Sequence, residues 1–155
     1  MINYELESIA HAADERSLKM LREHQAEVAH FNEVPVDWSN IDRYRQIEAA
    51  GALRLMVARE NDELIGYAVF IVAPAKQRAG KVAQCDLVYV RPDKRFGRVG
   101  VNMLKAMLER LAAEGVTIVR GMSSTRVDTG PLWRWLGFEL TGMIYERTLK
   151  GHPNA

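Results

Sequence analysis

The sequence predicts a mixed α/β (α+β) fold, one central sheet with helices on both faces. Three observations point to it. Apolar residues recur at helical spacing up to Gly51 and alternate from Ala52 onward. Residues 84–122 read as strand, basic loop, helix, strand. The chain has 155 residues, enough for one domain, 1–155, that buries roughly 68–70% of its unfolded surface.

Each element follows in order. Leu6, Ile9, Ala13, Leu18, Leu21, Val28 and Phe31 predict one long helix over 3–31. Pro35, which lacks an amide hydrogen, ends it. Ser39 or Asn40 caps a second helix over 40–50, stopped by Gly51. LRLMVARE alternates as a strand, NDE at 61–63 turns, and the apolar LIGYAVFIVA at 64–73 returns as a strand buried on both faces. PAKQRAGK is a loop, and QCDLVYV at 84–90 is the third strand. Alternation there puts Asp86, Val88 and Val90 on one face and Cys85, Leu87 and Tyr89 on the other.

Val101, Leu104, Leu108 and Leu111 predict an amphipathic helix to about Glu114, ended by Gly115. VTIVRGM at 116–122 is a strand. PLWRWL at 131–136 is a short helix with Pro131 in its first turn. FELTGMIYERTL at 138–149 is expected as the last strand, followed by a frayed tail.

Composition narrows the function. The chain is 48% hydrophobic and 26% charged, with net charge +1, so no global field draws it to nucleic acid or membrane. The N-terminus has no long apolar run, against a signal peptide, and no stretch of about 18 apolar residues suggests a membrane span. A single cysteine, Cys85, forbids an internal disulfide and fits a reducing, cytoplasmic setting. His24 and Glu27 stand i, i+3, too few for a metal site.

Basic charge is local. Arg91, Lys94, Arg95 and Arg98, with Gly97 and Gly100, sit where a strand becomes a helix. A helix N-terminus exposes unpaired amides and the positive end of a dipole, and glycines let a ligand approach the backbone. That describes a site for a pyrophosphate-like anion. The spacing is neither GxGxxG nor a Walker loop.

YVRPDKRFGRVGVNML, followed by PLWRWLGFEL, resembles the GNAT family of acetyl-CoA-dependent N-acetyltransferases. The matching residues are Val90 and Pro92 at the strand end, the loop Arg95-Phe96-Gly97-Arg98-Val99-Gly100, and Trp133 followed by Gly137-Phe138. The loop resembles the R-x-G-R-x-G variant of some bacterial and phage-borne members. The resemblance implies a splayed sheet with QCDLVYV at the edge of the gap. It implies that backbone amides near Leu87, Val88 and Val90 hold the pantetheine arm, and that loop amides from Arg95 to Val101 hold the pyrophosphate.

The usual proton-donating Tyr of the family is replaced here by Trp133, which flanks the cofactor thioester on this reading. Ser124 and Tyr145 are then the candidate acids or relays, and Asp86 the candidate general base. His24, Glu27 and Trp38 are candidates to line the acceptor pocket. The implied reaction is direct acetyl transfer from acetyl-CoA to a primary amine; a non-catalytic acyl-CoA-binding module is the alternative. Polyamines, aminoglycosides, amino acids, peptides and protein N-termini are all open as acceptors, and a homodimer through the last strand is open too.

Overall fold

The computed structural model describes residues 1–28, 40–147 and 149. A five-stranded sheet of order β1-β2-β3-β4-β5 forms its centre. The strands are β1 (Ile2–Glu7), β2 (Leu53–Glu60), β3 (Glu63–Pro74), β4 (Lys81–Val90) and β5 (Val116–Arg120). The helices are α1 (Ile9–Ala12), α2 (Glu15–Val28), α3 (Asn40–Ala49), α4 (Val99–Ala113) and α5 (Gly130–Trp135). β1 to β4 pair antiparallel, and β4 and β5 pair parallel because α4 carries the chain back between them.

The predicted helix over 3–31 is corrected to a strand and two helices. Ile2, Tyr4 and Leu6 alternate and pack on the α4 side of the sheet. Two caps divide the rest. Ser8 Oγ accepts from the His11 amide, opening α1. Asp14 and Ser17 exchange side-chain-to-amide bonds of 2.8 Å, a reciprocal box that opens α2. Arg59 ties β1 to β2 with bonds of 2.6 and 2.9 Å to the Glu7 carboxylate.

β2 and β3 join through Asn61 and Asp62, both at positive φ, the two-residue turn whose twist suits a hairpin. The predicted strand over 138–149 is also corrected: its described residues carry no strand, and 139–147 are exposed. Its alternation has strand character, but among the described residues nothing pairs with it, and an unpaired strand is not stable in water.

Two apolar clusters lie on opposite faces of the sheet. α4 seals one with Met103, Leu104, Met107 and Leu111, all fully buried against Met56, Ile65 and Phe70. On the other, α1 to α3 cover Leu53, Leu55, Val57, Tyr67 and Val69. Among the described residues no helix is long and apolar enough to cross a membrane.

Candidate active site

β4 is paired unevenly. On one side it pairs with β3 as far as Val90, opposite Gly66. On the other it pairs with β5 from Lys81 to Gln84, opposite Val116 to Arg120, and stops. Among the described residues, 85–90 therefore leave one row of main-chain groups without a strand partner. A cavity of about 940 Å³ runs along that row, closed on its far side by the chain that follows β5.

The register also shifts here: Val69 faces Leu87 and Phe70 faces Cys85, so Asp86 is the extra residue of a bulge. This corrects the simple alternation. Cys85, Val88 and Val90 share the α4 side, and Leu87 and Tyr89 the other. The bulge leaves Asp86 exposed, on the wall of the cavity and of a second recess beside it. The Tyr44 hydroxyl, from α3, donates to its carboxylate. Burial and that bond hold the Tyr44 phenol above its ordinary range. Tyr44 escapes sequence reasoning because only the fold brings α3 to β4, 42 residues away.

His24 and Glu27 do reach the cavity from one face of α2. His24 is 5% exposed, its Nδ1 2.8 Å from the Tyr67 hydroxyl and its ring stacked on Tyr89 at 4.8 Å. Burial lowers its pKa from 6.5 to about 4, so the ring is neutral at pH 7. Burial also pushes the Cys85 thiol well up, which removes it as a nucleophile.

The basic loop is less free than its sequence suggests. Arg91 pairs with Asp93 and Glu63, and Lys94 with Glu60. Arg95 donates to both Glu27 oxygens at 2.7 and 2.8 Å and to the Val90 carbonyl, with its guanidinium over the Tyr89 ring. The Arg95 guanidinium in turn lowers the Glu27 carboxyl pKa. Arg95 thus fastens α2 to the loop as well as lining the cavity.

Among the described residues Arg98 makes no ion pair and caps α4 with its backbone. The first intrahelical bond here runs from the Asn102 amide to the Arg98 carbonyl, so the amides of Val99, Gly100 and Val101 precede it. Gly97, Gly100 and Val101 line the cavity. A Cβ on Gly97 would meet nothing within 4 Å, and one on Gly100 would make ordinary contact with Val90. Neither glycine is needed by the backbone or by packing, and the space in front of them suits a diphosphate. Phe96 is 100% exposed, and the Val99 side chain is buried in the core.

Ser124 lines the cavity, its Oγ accepting from the Arg126 amide at 3.1 Å. Trp133 does not: it is buried in the α4-side core, tilted against Phe138. Its Nε1 donates to the Met122 carbonyl and the Thr129 hydroxyl at 3.0 and 3.2 Å. Tyr145 is 89% exposed, its hydroxyl 3.9 Å from the Met143 sulfur. Trp38 lies outside the described residues.

A strand opened on one edge leads to a helix N-terminus fronted by glycines that neither backbone nor packing requires, which leaves room for a long ligand with an anionic end. The family model of the acetyltransferase (GNAT) family matches residues 18–138, and the chain belongs to that family of acetyl-CoA-dependent N-acetyltransferases. The chain is 34% identical over 117 residues to L-methionine sulfoximine/L-methionine sulfone acetyltransferases of Pseudomonas paraeruginosa and Pseudomonas aeruginosa, covering 74% of this chain and 67% of theirs. A predicted acetyltransferase of Clostridium acetobutylicum, solved with acetyl-CoA, superposes with TM-score 0.74 at 20% identity over 99% of both chains. A ribosomal-protein-alanine N-acetyltransferase of Brucella melitensis gives 0.76 at 14% over 96% of this chain and 99% of its own. An aminoglycoside acetyltransferase from an uncultured soil metagenomic sample, in complex with sisomicin, gives 0.74 at 13% over 96% and 97%.

Proposed function

We propose that this chain transfers an acetyl group from acetyl-CoA to the primary amine of a small molecule, at the junction between the open row of β4 and Asp86. The observation that carries the reading is the open row itself, continuous with the α4 N-terminus. Acetyl-CoA supplies the activated acetyl group when bound. The loop Arg95-Phe96-Gly97-Arg98-Val99-Gly100, of R-x-G-R-x-G form, holds its diphosphate through the amides of Val99, Gly100 and Val101 and the Arg98 charge. Main-chain groups of Leu87, Val88 and Val90 hold the pantetheine arm and polarise the carbonyl.

At pH 7 about one lysine-like amine in 2,500 is neutral, which adds about 4.6 kcal/mol to the barrier. Asp86 offsets this by taking the ammonium proton, directly or through water, with Tyr44 holding its carboxylate in place. Ser124, on the cavity wall, relays a proton from solvent water to the leaving thiolate, taking up one proton as it gives one up. Tyr145 and Trp133 take no part, on their placement.

The relatives' named substrates, an amino-acid derivative and aminoglycosides, favour a small-molecule acceptor. The exposed apolar side chains of Leu140, Met143 and Ile144 support a homodimer through the C-terminal segment. The free, buried Cys85 supports a reducing, cytoplasmic location, and the one sheet with a core on each face supports a single domain over 1–155.

Calorimetric titration with acetyl-CoA tests the reading. The natural chain binds at about micromolar Kd and the Arg98→Glu, Gly100→Glu double variant does not bind. No binding by the natural chain sinks the assignment.

A further inference from the structure

A second recess of about 690 Å³ adjoins the acetyl-transfer cavity and shares Asp86 with it. Its walls carry three cations, Lys76, Arg78 and Arg120, against the one carboxylate of Asp86. Among the described residues none of the three side chains makes a hydrogen bond or ion pair. Elsewhere the chain pairs its cations readily, as at Arg54, Arg59, Arg91, Lys94 and Arg95. A concave wall of one sign focuses its field on an oppositely charged ligand.

The backbone that carries the cations is held in place. Arg120 ends β5 opposite Gln84, and Asp86 lies two residues further along β4, about 7 Å at strand rise. Lys76 and Arg78 ride on the β3–β4 loop, whose base is pinned. The Ala75 amide donates to the Gly80 carbonyl at 3.0 Å, and the Thr117 hydroxyl donates to the carbonyl of Ala79 at 3.2 Å. Gly80 sits at φ +91°, where a Cβ would strike Thr117 at 2.7 Å, so the loop closes tightly on β5.

We propose that the acceptor is an amine that also bears a carboxylate, bound with its ammonium at Asp86 and its carboxylate toward Arg120, Lys76 and Arg78. This rests on the transferase reading above and narrows its acceptor class. A polycationic acceptor would meet three like charges in the recess. An α-amino acid meets charges of the right sign at both ends.

The test measures acetylation, with acetyl-CoA, of L-methionine sulfone and the common L-amino acids, each beside its own carboxamide, with spermidine and sisomicin as polycations. Acetyl-CoA affinity is measured in parallel on the same protein. The expected result is turnover of carboxylate-bearing amines with poor use of amides and polycations. Arg120→Gln, exposed and outside the core, then raises KM for the acid about tenfold or more, the worth of a charge-assisted hydrogen bond. It leaves KM for the amide and the acetyl-CoA affinity within about twofold. Equal or better use of amides or polycations, or transfer to none of the acids while acetyl-CoA still binds, overturns the proposal. Loss of acetyl-CoA binding by the natural chain is a different failure and removes the transferase reading instead.

Discussion

The two faces of the sheet do different work. The face under α4 is apolar and closed, with Met103, Leu104, Met107 and Leu111 fully out of water. The face under α1 to α3 is closed over β2 and β3 but open over β4 and β5. There His24, Tyr67, Tyr89 and Tyr44 bring polar atoms to the edge of the closed part. Polar groups tolerate burial only when bonded: His24 bonds Tyr67 and Tyr44 bonds Asp86, while the Tyr89 ring stacks on His24. On the function proposed above, the closed face carries stability alone and the open one carries chemistry beside its own core, with the β4 bulge at Asp86 on the boundary.

Four substitutions can break or sharpen this division. Asp86→Asn should lower kcat by about 10²- to 10⁴-fold, the usual worth of a positioned base, with the melting temperature nearly unchanged. Leu104→Ala should do the reverse, costing about 3 kcal/mol of stability in denaturant titration while the folded enzyme keeps its kcat. A loss of kcat in Leu104→Ala as deep as in Asp86→Asn would erase the distinction between the faces.

His24 belongs to both roles, and pH separates them. Its folded pKa, about 4, lies below the ordinary 6.5. Its contribution is therefore fully present above pH 6.5 and is lost as pH falls toward 4, because the unfolded chain takes up a proton that the folded one refuses. Between pH 7.5 and 5 the natural chain should lose about 2 kcal/mol more stability than His24→Gln, read from paired denaturation curves. Equal losses would show that His24 is not held neutral by burial. The smallest effect is expected from Tyr44→Phe. Freeing Asp86 from its hydroxyl partner should cost about 1 kcal/mol, roughly fivefold in kcat, with acetyl-CoA affinity unchanged.

Much of this was legible in the chain itself. β2 to β5, α3, α4 and α5 follow from period and turn chemistry, with ends shifted by a residue or a few. The N-terminus misleads because Leu6, Ile9 and Ala13 fit a helical face while Ile2, Tyr4 and Leu6 fit a strand. Ser8 and Asp14, the two caps, were the signal that divides them. FELTGMIYERTL has the pattern of a strand, but pattern does not supply a partner. In the site, Gly97 and Gly100 announce themselves by composition. The Asp86 bulge, the Tyr44 bond, the Arg95–Glu27 pair and the Arg120 recess join residues distant in the chain, and no spacing encodes them.

Trp133 and Gly121 have a consequence for how this sequence can change. A Cβ on Gly121 would lie 2.5 Å from the Trp133 ring, so any larger residue at 121 collides while the indole is present. A smaller ring at 133 leaves a void beside Gly121 and removes the indole N–H from the Met122 carbonyl. Each single step toward a phenol at 133 is worse than either end state. Change at position 121 is therefore tied to change at position 133.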